Sequence, residues 1–214
     1  MESITSCLML AANLETPVSL NVIFDEIDLK DTGIEFDSHI TVLYAADKFL
    51  EKGDIFDTID KCWWKSNPPV KESIFDYLER QKSFEENAVP VLDLFELDNF
   101  ENDSGYVVLK LKHDNFWYTS MSKLNKSLSE YYKIKSKFPT YTPHLTLAEV
   151  EPGTSSKYVE NETLKKVLRD SYVHFEDFII SYDRDNSKEY DVHDITHNHS
   201  VDRYFRLRDL RNEE

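Results

Sequence analysis

The chain has 214 residues, of which 40% are hydrophobic and 31% charged, and its formal net charge is −16 at pH 7. This length suits one sizeable domain or two closely packed lobes. Proteins that hold long nucleic acids neutralise many phosphates with Lys and Arg, so the charge argues against a duplex-binding role. The acidity also serves solubility, and it is compatible with a small phosphorylated substrate held in a local pocket.

The sequence predicts a cytoplasmic protein. No apolar run approaches the roughly 20 residues that span a bilayer, so we expect no membrane segment. The N-terminus lacks the basic region of a secretory signal. The two cysteines, Cys7 and Cys62, have no metal-like spacing, which favours a reducing compartment.

The first part of the chain is predicted to form a strand, a helix and a second strand. An apolar run over residues 6–12 predicts a buried strand. A helix over about 18–27 follows Thr16-Pro17, which have the residue types of a helix start. A strand is predicted from His39 to about Ala45.

Residues 47–89 are predicted to form a helical insert. Apolar residues at helical spacing indicate one helix around 49–59 and another over 74–84. Asn67-Pro68-Pro69 must break the chain between them. Trp63 and Trp64 either belong to the core or line a cleft that this insert covers.

The later part of the chain begins with a predicted β-hairpin. Alternating residues indicate strands over 91–100 and 106–112, with a polar turn over 101–105. An amphipathic helix is predicted from Phe116 to about Tyr132. The remaining predicted elements are a strand that begins at His144, a helix over 161–170, and closing strands over 172–182 and 201–207.

The pattern His-x-Thr occurs twice, each time at the start of an apolar run. His39 and Thr41 form the first copy, and His144 and Thr146 form the second. In a strand, residues i and i+2 point to the same face, so each copy presents an imidazole beside a hydroxyl. Two such pairs facing each other supply a base, an acid and two hydroxyl donors. This set is sufficient to break a phosphodiester without a metal ion or other cofactor.

Histidine titrates between pH 5 and 8, so one imidazole of the pair can be neutral while the other is protonated. The neutral ring would accept a proton from the attacking hydroxyl or water, and the protonated ring would give one to the leaving oxygen. Sequence alone leaves open which of His39 and His144 has which role. Thr41 and Thr146 would donate hydrogen bonds to the non-bridging phosphate oxygens. Tyr141 either stacks on a nucleobase or anchors its own loop.

The other histidines are expected to have no catalytic role. His193, His197 and His199 are residues of the type that bind zinc, but they lie in a polar, loop-like stretch without a His-Glu-x-x-His pattern. We therefore predict a solvated turn there. His113 and His174 have no motif context and are expected to be structural.

The chain resembles the two-histidine (2H) phosphoesterase superfamily. The resemblance rests on residues 39–43 and 141–148, and in the second the string Pro-His-hydrophobic-Thr-Leu is typical of these proteins. It implies an α+β fold in which two pseudo-symmetric lobes of antiparallel sheet, with outer helices, surround a central cleft. Residues 1–214 would then form a single bilobal domain, and the insert at about 47–89 matches nothing in the superfamily.

The resemblance also implies an activity. These proteins act on 2′,3′-cyclic phosphates, 2′-5′ linkages or small cyclic nucleotides, and His39, Thr41, His144 and Thr146 would be the catalytic residues. The acidic chain with its Trp-bearing insert looks most like the phage anti-CBASS phosphodiesterases, which degrade cyclic oligonucleotides of host immunity in the host cytoplasm.

Two alternatives remain at this point. One is a non-catalytic protein, either a nucleotide sponge or an acidic inhibitor that occupies a partner's nucleic-acid site. The other is an RNA-end 2′,3′-cyclic phosphodiesterase, which the net charge disfavours but which a short substrate permits.

Overall fold

A curled antiparallel sheet carries most of the chain in the computed structural model. The structure describes residues 4–35, 38–46, 48–66, 72–80, 87–101, 105–135, 140–184 and 204–206. The strands over these residues are β1 (Ile4–Glu15), β2 (Leu29–Ile34), β3 (His39–Ala45), β4 (Val89–Pro90), β5 (Phe95–Glu101), β6 (Gly105–Leu111), β7 (His144–Val150), β8 (Tyr172–Arg184) and β9 (Tyr204–Arg206). The helices are α1 (Lys52–Ser66), α2 (Ile74–Arg80), α3 (Val91–Leu94), α4 (Phe116–Tyr132), α5 (Ser155–Val159) and α6 (Glu162–Arg169).

The strands follow the order β4-β8-β1-β3-β7-β6-β5, with β2 also pairing with β7 and β9 with β8. Each of these pairs is antiparallel. The predicted α+β class is therefore confirmed. The pseudo-symmetric lobes and the single bilobal domain remain predictions.

Helix α4 follows its sequence pattern closely. The side chain of Asn115 accepts a hydrogen bond from the Tyr118 amide at 2.7 Å, which satisfies one of the free amides of the first turn. Met121, Leu124 and Leu128 form the buried stripe. The helix ends at Tyr132, and the residue that follows it, Lys133, has a left-handed backbone with φ 53°.

Helices α1 and α2 belong to the core. Helix α1 packs against α4, and α2 packs against β8. Trp63 is fully buried with its ring edge-on to Phe116, whereas the Trp64 side chain is 45% exposed. The insert therefore contributes one tryptophan to the core. The described part of the chain has no helix long and apolar enough to cross a membrane.

The predicted helix over 18–27 is wrong. Two single 3-10 turns, Leu20–Val22 and Glu26–Asp28, lie there instead, and the extended backbone of Asp25 separates them. A tertiary contact holds this shape, because the hydroxyl of Tyr158 accepts a hydrogen bond from the Asp25 amide and donates one to Asp28. The strand β2 that follows was not predicted.

The predicted strand over 91–100 is wrong in its first part. Residues 91–94 form the short helix α3, in which the Phe95 amide donates to the Val91 carbonyl. Pro90 precedes this turn with a φ of −52°, which suits the start of a helical turn. The strand begins at Phe95, and the rest of the hairpin is as predicted.

Candidate active site

The two His-x-Thr segments lie side by side at the centre of the sheet. They begin strands β3 and β7, which pair antiparallel with Ile40 opposite Leu145. Continuing this register by one residue in each direction places His39 opposite Thr146 and Thr41 opposite His144. Directly opposite residues share a face of the sheet, so the structure brings the four predicted side chains together on one face.

The same residues show why the two strands meet in this register. Ile40 and Leu145 are fully buried and point into the core on the other face. The histidine and threonine on either side of each are half-buried in both strands. A slip of one strand by one residue would bury its histidine and threonine and expose its apolar side chain, so burial fixes the pairing.

The neighbouring strands complete the floor of the site. On β1, Ala11 lies opposite His39 and Met9 lies opposite Thr41. On β6, Val108 and Lys110 lie opposite Thr146 and His144 respectively. Lys110 is the one charged residue among these four neighbours.

The ring of His144 is oriented by its own loop. Its Nδ1 atom lies 2.7 Å from the carbonyl oxygen of Thr142, so Nδ1–H donates to that oxygen. A neutral ring with this tautomer carries its lone pair on Nε2. Burial lowers the pKa of His144 below the usual histidine value. The charges of His39 and Lys110 lower this pKa further, and the hydrogen bond to Thr142 opposes them.

Three residues that the sequence analysis did not single out surround His144. The ring of Phe100 lies edge-on to the imidazole, with 4.9 Å between centroids. The Nζ atom of Lys110 lies 4.4 Å from the centroid of the same Phe100 ring and 2.5 Å from an Asp98 carboxylate oxygen. Lys110 is visible in the sequence as a charged residue within the apolar strand β6. Its partners, however, can be identified only from the register of the sheet.

Thr41 is held from two sides. Its hydroxyl hydrogen-bonds to Cys7, and burial raises the pKa of that thiol to about 11, which keeps it protonated at neutral pH. The hydroxyl of Tyr141 donates to the Thr41 carbonyl at 2.9 Å. This hydrogen bond anchors the loop before β7, and contact of the Tyr141 ring with a substrate stays a prediction.

His113 and His174 lie outside the candidate site. His113 contacts the ring of Tyr118 near the start of α4, and His174 is buried in β8. The predicted turn with His193, His197 and His199 falls outside the described residues. Within the described ranges, no three His, Cys, Asp or Glu side chains are grouped so that they could hold a metal ion.

No protein-family model matches the sequence, and no curated protein matches it significantly.

Proposed function

We propose that this protein is a metal-independent phosphodiesterase that cleaves small cyclic nucleotides or short oligonucleotides by acid–base catalysis between two histidines. The observation that carries the proposal is the register of β3 and β7, which sets His39 opposite Thr146 and Thr41 opposite His144 on one face. A phosphodiester lying over this face would have an imidazole on each side and a hydroxyl donor beside each imidazole.

His144 is the better general base. Its Nδ1–H is engaged by the Thr142 carbonyl, which leaves Nε2 to accept a proton. Its lowered pKa keeps the ring neutral at pH 7. His39 then has the role of general acid, and it protonates the leaving oxygen.

The reaction has two steps. The phosphoryl group is first transferred from the 5′ oxygen to the 2′ oxygen within the substrate, and the cyclic phosphate that forms is then hydrolysed. His144 removes the proton of a ribose 2′-hydroxyl, whose oxygen attacks the adjacent phosphorus. The bond from phosphorus to the 5′ oxygen breaks, and His39 donates its proton to that oxygen. Water opens the resulting 2′,3′-cyclic phosphate with the two histidines in exchanged roles.

The threonines stabilise the negative charge that builds on the phosphate oxygens during the reaction. Hydroxyls of Thr41 and Thr146 donate to the two non-bridging oxygens. The Thr41 hydroxyl also hydrogen-bonds to Cys7 on the neighbouring strand β1. Lys110, next to His144, adds a positive charge on the same side.

The proposal includes two lobes that meet at the β3–β7 seam. Strands β4-β8-β1-β3 would form one lobe and β7-β6-β5 the other, and each contributes the His-x-Thr strand at its inner edge. Two such lobes would enclose a cleft of the kind that the resemblance to 2H phosphoesterases implies. An acidic chain of this kind suits a small substrate better than a long polyanion. Degradation of cyclic-nucleotide immune signals in a host cytoplasm is part of the proposal.

The test is incubation of the protein with a panel of linear and cyclic nucleotides, followed by mass analysis of the products. We expect cleavage of cyclic di- or trinucleotides or short oligonucleotides that carry a 2′-hydroxyl, and no cleavage of double-stranded DNA. The matching 2′-deoxy compound should bind and stay intact, because it lacks the nucleophile. Efficient hydrolysis of the deoxy compound would show that water attacks directly. Tight binding without cleavage of any compound would favour a nucleotide sponge.

A further inference from the structure

The strands β3 and β7, which carry the two His-x-Thr pairs, share only a short ladder. Among the described residues, Ile40 and Leu145 are their one pair of register partners, whereas longer ladders join β3 to β1 and β7 to β6. A short ladder holds two strands less firmly than a long one, because fewer backbone hydrogen bonds resist their relative movement. The mutual placement of the four site residues therefore depends on any further link between these two strands.

The side chain of Tyr141 forms such a link. It lies in the loop before β7, and its hydroxyl donates a hydrogen bond of 2.9 Å to the carbonyl of Thr41, 100 residues earlier in the chain. The ring is partly buried and packs against the hydrophobic core, which holds the side chain in place. Burial raises the pKa of this hydroxyl far above its usual value, so the group stays protonated and remains a donor. One side chain thus connects the middle of the first motif to the start of the second.

The other end of this loop is also fixed. The Pro143 carbonyl accepts a hydrogen bond of 3.0 Å from the Leu111 amide of β6, and Pro143 itself is buried. The proline ring fixes its own φ and disfavours a helical backbone at the preceding residue, Thr142. The Thr142 carbonyl therefore lies between two anchored residues, Tyr141 and Pro143.

This carbonyl directs the ring of His144. It accepts the Nδ1–H of His144 at 2.7 Å, which leaves the lone pair of the neutral ring on Nε2. The tautomer of a histidine is set by the hydrogen bond that one ring nitrogen makes, so a displaced Thr142 carbonyl would no longer select this form. Tyr141 and Thr142 are adjacent, so the hydroxyl that holds Tyr141 on β3 also restrains this carbonyl.

We propose that Tyr141 is a positioning residue that couples the two His-x-Thr pairs. Its hydroxyl holds the backbone of Thr41 and, through the Thr142 carbonyl, keeps His144 in the Nδ1–H tautomer. The hydroxyl itself takes no proton from the substrate and gives none to it. The effect of Tyr141 on turnover rests on the proposed function, whereas its effect on the His144 ring does not.

The test compares Tyr141→Phe with a matched control, Tyr182→Phe. Each variant keeps the aromatic ring and removes one hydroxyl that donates to a backbone carbonyl, since the Tyr182 hydroxyl donates to the Leu50 carbonyl at 2.6 Å. Both rings pack partly buried against the core, and Tyr182 lies on β8, outside the candidate site. The two variants should therefore lose similar stability, which thermal unfolding measures.

The first readout is the tautomer of His144, observed by nitrogen NMR above the pH range in which histidine titrates. The signals of this ring are identified by their loss in His144→Gln. Wild type and Tyr182→Phe should carry the proton on Nδ1, and Tyr141→Phe should show a mixture of both tautomers. An unchanged Nδ1–H form in Tyr141→Phe, or the same mixture in both variants, would overturn the proposal.

The second readout is the turnover of any substrate that wild type cleaves. A misdirected base slows the reaction without weakening binding, so Tyr141→Phe should lower kcat by about 10- to 100-fold and leave KM nearly unchanged. Tyr182→Phe should keep both constants at their wild-type values. A normal kcat in Tyr141→Phe, or an equal fall in both variants, would refute the positioning role. The expected tautomers in a protein that cleaves nothing would support the coupling of Tyr141 to His144 and refute the phosphodiesterase.

Discussion

Lys110 lies directly opposite His144 on the neighbouring strands β6 and β7. Burial is the main cause of the lowered pKa of His144, and the charge of Lys110 adds to it. Asp98 pairs with Lys110 at 2.5 Å and partly offsets that charge. Lys110 therefore contributes to the pH dependence of the proposed base without needing to touch the proton that is transferred.

Replacing Lys110 should move the activity profile to higher pH. In Lys110→Gln the pKa of His144 rises, because one of the charges that disfavour imidazolium is gone. A base with a higher pKa becomes neutral at higher pH, so the ascending limb of kcat/KM should shift to higher pH. The measurement is kcat/KM against pH from 5 to 9, and an unmoved limb would show that His144 is not the base.

Replacing Asp98 should have the opposite effect. Asp98→Asn removes the carboxylate that offsets the Lys110 ammonium and keeps the size of the side chain. The pKa of His144 then falls further, and the ascending limb moves to lower pH. Shifts of opposite sign in the Lys110 and Asp98 variants distinguish an electrostatic effect from a structural one, since structural damage would lower activity at every pH.

The same pKa shift predicts a change in stability with pH. His144 in the folded state has a pKa below the unfolded value of about 6.5, so the unfolded chain binds the proton first as pH falls. The stability gained from keeping His144 neutral is present above that value and is lost as pH falls below it. His144→Gln removes this group, so its melting temperature relative to wild type should rise between pH 7.5 and 5. A difference that stays constant over this range would contradict the lowered pKa.

Replacing each of the four site residues with alanine should lower the activity by different amounts. His39→Ala and His144→Ala should each lower kcat by about 10²–10⁴-fold, the usual contribution of general acid–base catalysis. Thr41→Ala and Thr146→Ala should lose about 10–100-fold, because each removes one hydrogen bond to a charged group. Turnover measured on any substrate cleaved by wild type provides the comparison. Near-normal turnover of either histidine variant would exclude the two-histidine mechanism.

Much of the fold followed from local patterns. Helix α4 and strands β3 and β7 lie where periodicity placed them, because their apolar stripes match the buried faces. The wrong predictions concern residues whose backbone conformation depends on tertiary contacts. The hydroxyl of Tyr158, far along the chain, holds the 3-10 turns near Asp25, and no local pattern could reveal that contact.

The candidate site was predictable in part for the same reason. Spacing alone showed that each His-x-Thr pair shares a face of its strand. The opposition of His39 to Thr146 depends on β3 and β7 being neighbours in the sheet, although they are far apart in sequence. Lys110 lies on β6 and Asp98 lies on β5. Their position near the site could therefore be inferred only from the order of the strands.

Removal of metal ions should leave activity intact. Four protein groups cover the base, the acid and the two oxyanion donors, so the mechanism requires no Lewis acid. Cleavage in excess EDTA should equal cleavage in untreated buffer. Complete loss that zinc or manganese restores would contradict the mechanism and would direct attention to His193, His197 and His199.

The adjacent tryptophans of α1 provide a test of the insert's role. Trp63 is fully buried and packs edge-on against Phe116 of α4, so Trp63→Ala should lower the free energy of unfolding by about 3–5 kcal/mol. Trp64 is 45% exposed and donates one hydrogen bond to the Glu72 carbonyl, so Trp64→Ala should cost about 1 kcal/mol. Urea unfolding of both variants gives the comparison. If the two losses were similar and small, residues 52–66 would not be core, and a covering role over the cleft would again be the better explanation for the insert.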